Sequence, residues 1–108
     1  MDVELLVIPD CPNTAAALDL LYRALDEVGL SGQSVRTMVL SDDAQTQERD
    51  FPGSPTFLIN GVDPFPQHPH TPALACRLYD TPAGRRGVPD TAQLRRALQA
   101  ATDPDPRR

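Results

Sequence analysis

Residues 3–8, Val-Glu-Leu-Leu-Val-Ile, form an almost unbroken apolar run. Such a run predicts a central strand buried on both faces, as in parallel sheets. Between residues 12 and 28 the period changes. Leu18, Leu21, Tyr22, Leu25 and Val28 share one face of a helix, with Pro12 in its first turn, where a missing N–H costs nothing. Asp19 and Arg23 make a favourable pair four residues apart, and Gly29 stands where a helix stops. In 34–40, Val35, Thr37 and Val39 alternate with Arg36, Met38 and Leu40, which predicts a second strand. The resulting β–α–β unit joins two parallel strands by a right-handed crossover.

Residues 42–50 have almost no apolar face and read as a short exposed helix or a loop. The turn-rich Phe51-Pro52-Gly53-Ser54-Pro55 leads into a third strand, 56–59. Asn60-Gly61 is a strong hairpin signal, so a fourth short strand starts at Val62 and is soon limited by Pro64. Four prolines in 64–72 exclude regular structure. The 73–79 stretch is a strand with Leu74, Cys76 and Leu78 on one face, or else a short helix. A loop follows around Gly84 and Gly87. Asp90-Thr91-Ala92-Gln93 resembles a capping box and opens a last helix with Leu94, Ala97, Leu98 and Ala101 on one face. One domain over 1–101 is expected, with 102–108 a disordered tail.

Composition narrows the classes. At 108 residues with 40% hydrophobic positions, the chain supports one modest core. No run approaches the roughly 20 apolar residues of a membrane span. The acidic start Met1-Asp2-Val3-Glu4 does not read as a signal peptide. A cytoplasmic location and no membrane partner are therefore expected. The net charge of −5 argues against nucleic acid as a partner. Every basic residue is Arg, and the pairs Arg85-Arg86, Arg95-Arg96 and Arg107-Arg108 read as solvated faces. The two cysteines, Cys11 and Cys76, lack zinc-site spacing, and a static disulfide is disfavoured in a cytosolic chain. No metal or other cofactor is expected.

Cys11 is an unusual residue for a helix entrance, where Ser, Thr, Asp or Asn would do the capping. The position suits chemistry, because the thiolate is the nucleophile and helix N-terminal N–H groups favour negative charge. Cys11-Pro12-Asn13-Thr14 has the spacing of a C-x-x-C redox motif with Thr14 in place of the second thiol.

Cys11 at a helix entrance, taken with Ser54-Pro55-Thr56 before a strand that ends in Asn-Gly, resembles the thioredoxin superfamily over most of residues 3–101. The resemblance implies an α/β thioredoxin-like fold, a central mixed sheet with helices on both faces. It makes Cys11 the nucleophile and Pro55 a cis residue packed beside it. Pro12, Ser54 and Pro55 become the substrate-binding residues, with the Ser54 backbone offering hydrogen bonds to a bound thiol or peptide. Because position 14 is Thr14, a two-thiol shuttle inside the motif is impossible. What remains is monothiol chemistry, in which the Thr14 hydroxyl hydrogen-bonds the Cys11 thiolate and the partner is a low-molecular-weight or protein thiol. Cys76 becomes a remote resolving thiol if the fold brings it near. "CPN", "GSPTFLINGVDPF" and "CRLY" also resemble small bacterial thioredoxin-family proteins, some labelled alkylmercury-lyase-like. That likeness would enlist Cys11, Cys76 and Asp63 in soft-metal or organomercurial chemistry.

Plainer readings stand beside these. Cys11 can be a small core residue at a tight turn, which would leave a non-catalytic binding module. Cys76, between Leu74 and Leu78, reads as a buried inert thiol. Pro55 can be an ordinary trans turn residue and Asp63 a turn former. His68 and His70 read as surface loop rather than metal ligands, and Tyr22 and Tyr79 as residues at the edge of the core. Oligomeric state is not legible.

Overall fold

A computed structural model describes residues 1–66 and 72–102. The elements run β1 (Val3–Val7), α1 (Thr14–Glu27), β2 (Arg36–Val39), α2 (Asp43–Glu48), β3 (Thr56–Ile59), β4 (Tyr79–Thr81), β5 (Gly84–Arg86) and α3 (Thr91–Thr102). The chain is a mixed α/β structure. A three-stranded mixed sheet has the order β2-β1-β3, with β1 parallel to β2 and antiparallel to β3. A separate antiparallel pair joins β4 to β5.

β1 is buried at every position, as its apolar run predicts. Val3, Leu5 and Val7 pack with Ala17, Leu21, Ala24 and Leu25 of α1 and Leu94 and Leu98 of α3. Leu6 faces the other way, against Leu40 and Phe51. Glu4 sits in this buried strand because Arg49 and Arg36 reach its carboxylate at 3.4 and 3.5 Å. β2 is the outer strand, and all four of its residues are exposed. Burial begins only at Leu40, whose N–H donates to Val7 O at 2.8 Å.

The first helix starts two residues later than its period predicts. Pro12 lies in the preceding turn, and Asn13 takes the N-cap position without a side-chain cap bond. At the other end Gly29 adopts φ +80°. The Leu30 N–H reaches Leu25 O at 2.8 Å and the Gly29 N–H reaches Asp26 O at 3.1 Å, a Schellman ending. Tyr22 turns outward and is exposed; the small Ala17 and Ala24 take the buried face instead. The 42–50 segment contains a short helix, capped by Asp42, which accepts from the Gln45 N–H at 2.8 Å.

Asn60 and Gly61 both have positive φ, as a two-residue primed turn requires. Ile59 and Val62 close it with bonds of 2.9 and 3.1 Å. The return strand extends no further than this one bridge. The 73–79 stretch forms neither the strand nor the helix expected: it makes one isolated bridge at Cys76, and a strand, β4, begins only at Tyr79. The loop expected around Gly84 is the β4–β5 hairpin, turned by Thr81-Pro82-Ala83-Gly84: the Thr81 hydroxyl donates to Gly84 O at 2.6 Å and accepts from the Ala83 N–H at 3.2 Å. The capping box forms: Asp90 accepts from the Gln93 N–H at 2.8 Å, and Gln93 accepts from the Asp90 N–H at 2.9 Å. α3 continues through Thr102. The readings for His68 and His70, and for the tail beyond Thr102, lie outside the described residues. No helix among the described residues is long and apolar enough to cross a membrane.

Candidate functional site

The C-terminal end of β1 and the N-terminal end of β3 meet because the two strands are antiparallel. Their register sets Leu6 opposite Thr56, and continued outward it sets Ile8 opposite Ser54. The Ser54 hydroxyl accepts from the Ile8 N–H at 3.1 Å. From Ile8 the chain turns through Asp10 at φ +57°. The Cys11 N–H donates to Ile8 O at 3.3 Å, and the Thr14 N–H donates to Cys11 O at 3.3 Å. Cys11 therefore lies between β1 and α1, at the sheet end that also carries Ser54 and Pro55. The Ser54–Pro55 peptide is cis, and both residues are buried.

Cys11 is itself 8% exposed and belongs to the apolar cluster under α1. The expected hydrogen bond from the Thr14 hydroxyl to its sulfur is not formed; Thr14 is the first residue of α1, and its contact with Cys11 is through the main chain. Pro12 is exposed on the rim. Asn13 packs against Gly87 so closely that a Cβ on Gly87 would come 2.5 Å from the Asn13 amide nitrogen. The linker before α3 thereby closes one side of the helix entrance.

Cys76 is exposed, not buried. Leu74, Cys76 and Leu78 do share a side, but it is the outer one, and Arg77 and Tyr79 point inward. The physical reason is a polar network that holds Arg77 inside. Its guanidinium meets Asp63 at 2.9 Å, the Thr56 hydroxyl at 3.2 Å and the Phe65 carbonyl at 2.5 Å. It also lies 4.3 Å from the Tyr79 ring centroid, within cation–π range. Among the described residues its Nε has no partner. Asp63 accepts from the Phe65 N–H at 2.8 Å as well, so this carboxylate is both turn former and counter-ion. An acid role for Asp63 would compete with that commitment.

The main chain beside Cys76 changes the picture of Ser54. The Ser54 N–H donates to Ala75 O at 2.7 Å, and the Arg77 N–H donates to Ser54 O at 3.0 Å. Ser54 and Cys76 form an isolated parallel bridge. The backbone groups expected to be open to a bound thiol or peptide are taken by the protein's own chain. Gly53 permits the approach: at φ +137° its absent Cβ would lie 2.8 Å from Arg77 Cβ. The Tyr79 hydroxyl donates to Pro55 O. Burial raises the Tyr79 pKa well above its ordinary value, with Arg77 lowering it and Asp63 raising it.

Ser54 thus joins the two cysteine-bearing segments, through Ile8 on one side and through Ala75–Arg77 on the other. Both thiols are free. Two clefts lie elsewhere. One, of about 140 Å³, is bounded by Phe65, Pro66 and residues 77–80; the other, of about 330 Å³, lies between the Asn60 turn and Ala97, Ala100 and Ala101 of α3. No three His, Cys, Asp or Glu gather as a metal site among the described residues. Sequence reasoning gave Arg77 no role, placed Tyr79 only at the edge of the core and read Gly53 only as part of a turn. Only Gly53, in a Pro-Gly-Ser-Pro turn, carried a visible signal. Comparison with protein-family models, curated proteins and solved structures finds no match to the chain.

Proposed function

We propose that the protein is a thioredoxin-like, thiol-dependent oxidoreductase of monothiol type with Cys11 as nucleophile. The observation that carries this reading is the position of Cys11 at the β1–α1 junction, on the sheet end where Ser54 binds the Ile8 N–H. The architecture supports it: β1 and β2 are parallel and flank α1 in sequence, β3 returns antiparallel, and α1 and α3 pack on the same side. In the reaction the Cys11 thiolate attacks one sulfur of a disulfide. A mixed disulfide forms at Cys11 and one thiolate leaves. A second thiol then attacks the mixed disulfide and restores Cys11. The filled backbone of Ser54 favours a low-molecular-weight partner over an extended peptide, since a peptide would have to displace residues 75–77.

The test is turnover of a small mixed disulfide by a thiol, with Cys11→Ser as control. The reading expects activity that Cys11→Ser abolishes and Cys76→Ser retains in its first, adduct-forming step. Wild-type protein that gives no more exchange than Cys11→Ser overturns it.

A second reading has its own observation. Cys11 packs within the apolar cluster, where a thiol behaves as a small hydrophobe. On that reading the protein is a binding module without catalysis, and Cys11→Ala leaves its properties intact.

A further inference from the structure

We infer that Cys76 is the resolving thiol for Cys11, carried to it by a segment that the fold holds at Ser54. The inference rests on the Cys11 reading and adds an internal thiol that competes with the external one for the Cys11 mixed disulfide. Three features build the arrangement. Residues 75–77 are tied to Ser54 by hydrogen bonds of 2.7 and 3.0 Å on either side of Cys76. Arg77, next in the chain, is anchored in the interior by Asp63, Thr56 and Phe65. Gly53 lacks the Cβ that would push this segment away. Across the sheet end, Ser54 receives the Ile8 N–H at its hydroxyl on one side and bridges Cys76 through the main chain on the other. Cys11 is the residue whose N–H closes the turn back onto Ile8. A buried thiol and an exposed thiol are thereby brought to one end of the sheet by a single residue, Ser54.

The chemistry balances with a low-molecular-weight disulfide as oxidant. The Cys11 thiolate attacks RSSR, forming a Cys11–SR bond and releasing RS⁻. The Cys76 thiolate then attacks the Cys11 sulfur, forming the Cys11–Cys76 bond and releasing a second RS⁻. The protein loses two electrons and two protons, and RSSR becomes two RSH. Closure needs the two Cα atoms within about 4.4–6.8 Å of each other.

The experiment is intact mass and peptide mapping of wild-type protein, Cys76→Ser and Gly53→Ala after treatment with oxidised glutathione. Wild type is expected to lose the mass of two hydrogens and to yield one peptide pair linked through Cys11 and Cys76. Cys76→Ser is expected to accumulate the glutathione adduct on Cys11 that wild type loses to the internal disulfide. Gly53→Ala, checked for folding by circular dichroism, is expected to form the adduct but bridge more slowly; if it does not fold, Cys76→Ser alone decides. A stable Cys11 adduct in wild type with Cys76 still free overturns this inference and leaves the Cys11 reading intact. A disulfide between Cys76 residues of two chains also overturns it. No Cys11 adduct in Cys76→Ser defeats the Cys11 reading and this inference with it.

Discussion

At the scale of single residues, the site reading depends on Cys11 and Thr14. Cys11 could be singled out in the sequence because it stands where a polar cap belongs. Its burial could not, because the turn through Asp10 at φ +57° decides which way the side chain faces. Thr14 occupies the second position of a C-x-x-C spacing and is the first residue of α1. Thr14→Cys should therefore create a dithiol with Cys11 and a new disulfide reductase activity, measured by reduction of insulin. A variant that stays fully reduced under mild oxidation would mean that the two positions do not face each other. The buried reading of Cys76 failed for a clear physical reason. Leu74 and Leu78 suggested a buried face, whereas the buried side carries Arg77. A buried Arg is legible only together with its partner, and Asp63 lies on a separate segment before the 67–71 stretch. Removing that partner leaves a guanidinium whose side chain is 1% exposed without its counter-ion. Asp63→Ala should then cost about 3 kcal/mol, as breaking a buried pair does, measured by urea denaturation. A loss below about 1 kcal/mol would place the pair in the surface class.

At the scale of elements, legibility follows how local the determining forces are. β1, α1 and α3 were readable because apolar period and capping act within a few residues. The α3 capping box is the simplest case, and its worth can be measured: Asp90→Ala should cost about 1 kcal/mol, read as a lower thermal midpoint, while Asp90→Asn should recover most of the loss. The β4–β5 hairpin was not readable by alternation. Its residues, Tyr-Asp-Thr and Gly-Arg-Arg, include several poor strand formers. Only its Thr-Pro-Ala-Gly turn gave a signal, through Pro and Gly at favoured turn positions. The same limit explains the stub after Asn60-Gly61. The turn forms as its residues dictate, but Pro64 and the pull of Asp63 toward Arg77 end the pairing after Val62.

At the scale of the whole molecule, a mixed α/β arrangement of sheet and helices was legible, and the thioredoxin-like identity stands as our proposal. What could not be read was the return of residues 75–79 over the sheet end. That return joins Cys76, Arg77 and Tyr79 to β3 through Ser54, Thr56 and Pro55. It also gives stability a pH signature. The folded Tyr79 pKa is raised by burial, so the folded state holds its proton more tightly than the unfolded chain. The corresponding stability is fully present below the unfolded value of about 10 and is lost as pH rises beyond it. Denaturation curves should show little change from this group up to pH about 10 and a decline above it. Tyr79→Phe should flatten the decline; an unchanged decline would assign it elsewhere. The central claim remains that this architecture makes Cys11 a nucleophile. The direct measurement is the second-order rate of iodoacetamide labelling of Cys11 at neutral pH in Cys76→Ser, compared with free cysteine and with the same protein unfolded in urea. The account predicts faster labelling in the folded protein than in either reference. Labelling no faster than free cysteine, and slower folded than unfolded, would contradict it and make Cys11 a packing residue.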